Sequence, residues 1–316
     1  MKINTYILFL ILMLFESCAQ GTKQKKKSEN VKMTINAESS NQPIGEQIII
    51  NPSGSTIEKR ILPPTGFTRI IGNDGSFAKY LRNLPLKPHG SEVLLYDGSI
   101  KTNYNTYDAV IDMEIGNKDL HQCADAVMRL RAEYLWNHKR YNDIHFNFTN
   151  GFRVDYSKWM EGKRMVVKGN ETYWVDKLDI TYVDSWFLKN KLPEALSNTY
   201  QDFWEYMELI FNYAGTLSLS KELIPVDIRD MKIGDVFIWG GSPGHAILVM
   251  DIAENSDTKE KTFLLAQSYM PAQETQILQN PNNSKLSPWY SVTEISEELN
   301  TPEWTFSIND LKRFKE

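Results

Sequence analysis

The sequence predicts an α+β fold in which helices pack on an antiparallel sheet, and three observations lead there. Two long stretches, 118–136 and 197–215, carry apolar residues at helical spacing. Three apolar runs then follow one another at 234–240, 245–253 and 261–270, with turn residues between them, as in an antiparallel meander. From Ile61 onward aromatic and aliphatic residues stay dense, with no second linker and no repeat, so residues 61–316 read as a single globular domain.

The elements follow in chain order. The start, MKINTYILFLILMLFESCAQ, has one Lys ahead of an apolar run from Tyr6 to Phe15, then Ser17 and Cys18. That run is too short to cross a bilayer, and its layout is that of a secretory signal. Residues 1–17 are expected to be a lipoprotein signal peptide and Cys18 the lipidated residue, because a cysteine placed there resembles a bacterial lipobox. Residues 18–60 are polar, with lysines at 25–27, and are expected to be a flexible tether. A coil of that length reaches roughly 35 Å on average, which lifts a folded body off the lipid. SFAKYLRNL (76–84) reads as a short helix stopped by Pro85, YDAVIDMEI (107–115) as a half-buried strand, and 118–136 as a helix. IHFNFTNGF (144–152) reads as a strand entering an Asn-Gly turn, and 197–215 as a helix between Ser197 and Gly215. WTFSI (304–308) is expected to add an edge strand.

Composition is 41% hydrophobic, 12% aromatic and 24% charged, with net charge −5. No basic surface suggests nucleic acid, and no later stretch is apolar and long enough to cross a membrane. With Cys18 acylated, Cys123 is the remaining thiol, so there is no disulfide framework. An unpaired thiol in an oxidising compartment is either buried or used. Leu120, Cys123, Val127, Leu130 and Tyr134 fall at spacings 3, 4, 3, 4, which puts Cys123 on an apolar stripe. Its place near a helix start, where partial positive charge favours a thiolate, points the other way.

A thiol nucleophile needs an imidazole base and a polar group to hold it. His245 opens an apolar strand after the loop GGSPG (240–244), and Gln267 lies on the next strand, in LLAQSYM. Cysteine at a helix start, then histidine and an amide on successive strands, is the papain-like order. Trp239, Tyr269 and His89 are candidate substrate-binding residues beside it. QCADAVMRL and IGDVFIWGGSPGHAILVMDIAE resemble the helix opening and strand pair of NlpC-type cell-wall cysteine peptidases. That resemblance implies a papain-like or NlpC-like core carrying large insertions, since about 120 residues separate Cys123 from His245. It also implies a structural role for Asp235. The motifs PPTGFTRI, RNLPLKPHGSEVLLYDG, QCADAVMRLRAEYL, YAGTLSLSKEL, GGSPGHAILVMD and LAQSYMPAQE resemble, almost throughout 61–310, an exported bacterial family defined as domain of unknown function 4846.

Three other patterns are set aside. GGSPG fits G-x-S-x-G, but Pro243 has no N–H to give an oxyanion hole. SLSK (218–221) matches S-x-x-K without the Lys-Thr-Gly element that accompanies it. His121 and Asp125 stand four apart with no third ligand, so neither metal nor cofactor is expected.

The sequence therefore leads to two expectations. One is an exported lipoprotein of the bacterial cell envelope, anchored through Cys18 and facing the periplasm or exterior, that acts as a cysteine peptidase or amidase on peptidoglycan peptide. In it Cys123 attacks, His245 is the base and Gln267 orients the imidazole. The other is a non-catalytic envelope binding or scaffold lipoprotein with Cys123 in its core.

Overall fold

The strand His245–Asn255 (called β9 here, strands being numbered in chain order) is the axis of the structure, because nearly all of its residues are apolar and both of its faces are covered. The computed structural model describes residues 47–176 and 197–315. Cys18 and the proposed signal peptide lie outside the described residues.

Within them, β9 pairs antiparallel with β8 (Val236–Trp239) on one side and β10 (Lys261–Gln267) on the other. The meander expected from the three apolar runs is thus present. The sheet has nine described strands. Outward from β10 come β11 (Gln276–Leu278) and β2 (Tyr107–Val110), and outward from β8 come β15 (Leu311–Arg313) and β7 (Ile224–Pro225). β1 (Phe67–Arg69) and β12 (Tyr290–Ser291) add to β9 and β10 at the far end from His245.

Side chains alternate across the pleat. Ala246, Leu248 and Met250 enter the larger hydrophobic core, where the helices lie. Ile247 and Val249 enter a second core on the opposite face. A register shift at Leu264/Leu265 opposes the Asp251 region, and beyond it the parity reverses: Ile252 joins the second core and Ala253 the first. Asp251, fully buried, uses that irregular stretch to accept from Arg69 Nε at 2.5 Å and Arg82 Nε at 2.6 Å. It ties the N-terminal segments to the central strand.

The helix α3 (Cys123–Asn137) packs against β9 and buries most of its length. Asp125 closes its first turn by accepting from the Gln122 N–H at 3.0 Å. The second long helix, α5 (Tyr200–Tyr213), is capped by Thr199, whose side chain accepts from the Asp202 N–H, with Ser197 also bonded to the Asp202 carboxylate. The chain then turns through Gly215 into a further helix, α6 (Thr216–Glu222), where Gly215 had been expected only to end the previous one. Asp235 takes a two-pronged ion pair from Arg313, at 2.6 and 2.7 Å, and accepts from Lys232 N–H at 2.7 Å. It joins β15 to the turn before β8, the structural role the resemblance implied.

Three expectations are corrected. The folded body starts before residue 61: Ile49 and Ile57 are buried, Arg60 is buried with its Nε donating to the Gly54 carbonyl, and Ile57–Arg60 form a short helix. Single isoleucines in a polar stretch show no period, which hid this segment. The cysteine helix begins at Cys123, so Leu120 stands outside it and the apolar stripe starts three residues too early. The 304–308 strand, Thr305–Ser307 (β14), pairs with Glu298–Asn300 (β13) in a separate ribbon and not with the main sheet.

Candidate active site

The ends of three elements meet at one rim of the sheet. Cys123 is the first residue of α3, His245 the first of β9 and Gln267 the last of β10. Antiparallel pairing of β9 with β10 is what brings the start of one beside the end of the other. Cys123 and His245 line the same cavity, of about 320 Å³, together with Phe211, Thr216, Pro243, Tyr269, Met270 and Trp304. Cys123 is 8% exposed, buried as the apolar stripe predicted, and at the same time lines the cavity. Its sulfur meets the backbone N–H of Ala246, next to the histidine.

His245 Nε2 lies 2.8 Å from Gln267 Oε1. The imidazole is packed on three sides by aromatic rings: Tyr269 at 4.9 Å, Trp304 at 5.4 Å and Phe306 at 5.8 Å between centroids. With Nε2 engaged by Gln267, Nδ1 is the ring nitrogen left for a thiol or a substrate.

Electrostatics differ from the expectation at the helix start. Burial pushes the Cys123 thiol up to about 11, and the nearby Asp125 charge adds to that; backbone N–H groups of Ala124 and Ala246 pull only partly back. Burial pulls His245 down to about 4 against the Gln267 hydrogen bond and the Glu303 charge. The pair is therefore neutral thiol and neutral imidazole at neutral pH. The positive end of the helix does not win, because desolvation penalises an isolated thiolate by more than one helix terminus returns.

The remaining sequence candidates divide. Tyr269 is in the cavity wall. Trp239 pairs with His245 across β8 and β9 but stands 52% exposed on the rim. His89 is exposed in a loop and does not line the cavity. Ser242 is exposed in its loop, and Ser218 lies buried in α6 bonded to the Gly215 backbone, so neither hydrolase-like pattern builds a site. His121 and Asp125 are separated in structure: His121 precedes α3 and its Nδ1 faces the Gln273 carbonyl at 3.4 Å, while Asp125 caps the helix. A larger depression, of about 620 Å³, holds Arg129, Glu133 and Tyr200. These satisfy one another, with Arg129 to Glu133 at 3.3 Å and the Tyr200 hydroxyl donating to Glu133 at 2.6 Å. It holds no cysteine, and its histidine, His138, is turned to the Tyr134 carbonyl.

Sequence reasoning missed Glu303 and Lys101. Gln267 Nε2 donates to Glu303 Oε2 at 2.6 Å, and Lys101 Nζ pairs with the same oxygen at 2.5 Å. Both residues come from loops and carry no local signal. Thr216, whose hydroxyl donates to the Gly241 carbonyl at 3.1 Å, was also missed; it fixes the GGSPG loop as a wall of the cavity.

No curated protein and no solved structure matches the chain. Residues 57–313 match the family described as Domain of unknown function (4846), and the chain belongs to that family.

Proposed function

We propose that this protein is a cysteine acyl hydrolase, a peptidase or amidase of papain-like or NlpC-like ancestry, working on the cell envelope from a lipid anchor at Cys18. The observation that carries the reading is the shared cavity: a cysteine at a helix N-terminus and a histidine whose far nitrogen is held by a side-chain amide. A nucleophile, a base and an orienting group are the minimum set for covalent acyl transfer.

The reaction uses the neutral pair. Nδ1 of His245 takes the thiol proton as Cys123 sulfur bonds to the carbonyl carbon, so no standing thiolate is needed. The backbone N–H of Cys123, in the helix turn whose amides have no intrahelical partner, faces the developing oxyanion. The imidazolium then protonates the departing amine, the C–N bond breaks, and a thioester remains. Water, deprotonated by His245, releases the acid and restores the thiol. Through both steps Nε2–H stays on Gln267 Oε1.

The described lining contains no lysine or arginine; its one carboxyl is Asp125, already committed to the helix cap and pushed by burial well above the usual carboxylate range. The substrate group beside the scissile carbonyl is accordingly uncharged and small or apolar, such as an alanyl residue of a peptidoglycan peptide. Acid quenching during turnover of such peptides, followed by mass spectrometry, should find an acyl adduct on Cys123 that is absent in Cys123→Ala.

The second reading, an envelope binding protein, is favoured by the burial of Cys123 and its raised pKa. Peptide binding with no adduct and no cleavage, and alkylation of Cys123 only after unfolding, would replace the enzyme with that reading.

A further inference from the structure

We propose that Glu303 is a positioning residue: it dictates which way the Gln267 amide faces, and thereby which nitrogen of His245 carries the proton. The functional consequence rests on the hydrolase reading above; the positioning itself does not.

A side-chain amide has a donating end and an accepting end, whereas a carboxylate only accepts. Glu303 Oε2 lies 2.6 Å from Gln267 Nε2, so the donating end is turned to Glu303 and Oε1 is turned to His245. Oε1 accepts, so His245 Nε2 must carry hydrogen, and the lone pair is at Nδ1. Without Glu303 the amide turns over at little cost, and the opposite tautomer places the lone pair on the wrong side of the ring.

Glu303 is itself held in place by two donors. Lys101 Nζ pairs with Oε2 at 2.5 Å, and Asn103 Nδ2 donates to Oε1 at 3.2 Å. The side chains of Lys101 and Glu303 are 5% and 11% exposed. A buried ion pair of this sort is poor evidence for stability and better explained by orientation. Its neighbours fit that role: Trp304 packs on the imidazole, and the Lys101 ammonium lies over the Tyr269 ring at 5.7 Å.

The test uses the full chain carrying Lys101→Met with Glu303→Gln. This pair removes both charges together, keeps the volume, and offers Gln267 an amide that satisfies either orientation. Nitrogen-15 NMR of the imidazole reads the tautomer directly. The wild type is expected to show hydrogen on Nε2 alone, and the variant a mixture. Acylation of Cys123 by peptide should fall in proportion to the remaining share of the Nε2–H tautomer, about twofold for an even mixture, with KM little changed. Lys101→Met with Glu303→Met serves if the first variant does not fold. A wild type protonated on Nδ1, or a variant that keeps a pure Nε2 tautomer, overturns the proposal. A locked tautomer in a wild type that forms no acyl adduct keeps the positioning and removes the hydrolase reading.

Discussion

Asp125 does two things at once: its carboxylate closes the first turn of α3, and its charge lies close enough to Cys123 to raise the thiol further. Asp125→Asn separates them, because the amide oxygen still accepts from the Gln122 N–H while the charge is gone. The pH midpoint of Cys123 alkylation by iodoacetamide, expected at about 11 in the wild type, should move down in this variant. A midpoint that stays or rises would show that burial alone sets the thiol. His245 makes the companion prediction. With its pKa near 4 and the thiol's near 11, the working neutral pair persists across the range between them. The profile of kcat/KM against pH should be flat through neutrality and fall only near pH 4 on the acid side. An acid limb at the ordinary histidine value, about 6.5, would mean a solvated imidazole.

At the scale of elements, the loop between β8 and β9 is what lets a strand start beside a helix end. A β-carbon on Gly244 would lie 2.4 Å from Thr216 Oγ1 and 2.5 Å from the Gly241 carbonyl oxygen. Gly244→Ala must therefore push the loop off α6, at a cost of about 1–3 kcal/mol, and should lower both Tm and the rate of Cys123 acylation. Thermal melts unchanged from wild type would show that the loop yields freely. The strand meander and the two long helices were legible in the sequence because each buries a continuous or periodic apolar run. Cys123, His245 and Gln267 were legible because each stands at the end of such a run. Glu303 and Lys101 were not: they sit in separate loops 202 positions apart, and only the folded chain brings them to Gln267. The β13–β14 ribbon was misplaced for a related reason, since Glu298-Leu299-Asn300 is too short and polar to declare itself a partner.

For the whole molecule, the buried histidines make acid the condition to examine. His121 is 1% exposed, its Nε2 has no hydrogen-bond partner among the described residues, and burial together with the Arg129 charge lowers its pKa to about 3. Above pH 6.5 neither folded nor unfolded chain protonates this residue, so it adds no pH dependence. Below that, the unfolded chain binds a proton that the folded chain refuses, and stability falls as pH drops toward 3. At pH 4.5 the loss is on the order of 2–3 kcal/mol. Glu222 works in the opposite direction: burial raises it to about 7, so it disfavours the fold as pH climbs from its ordinary value through 7. The net curve of the wild type thus mixes the two, and a difference between variants isolates the histidine. His121→Gln keeps a donor for the Gln273 carbonyl and removes the titration. Urea unfolding at pH 7.5 and pH 4.5 should show the variant gaining about 2–3 kcal/mol relative to wild type between the two conditions. Parallel behaviour of the two proteins would mean that His121 is protonated in the fold, and that its Nε2 has found an acceptor.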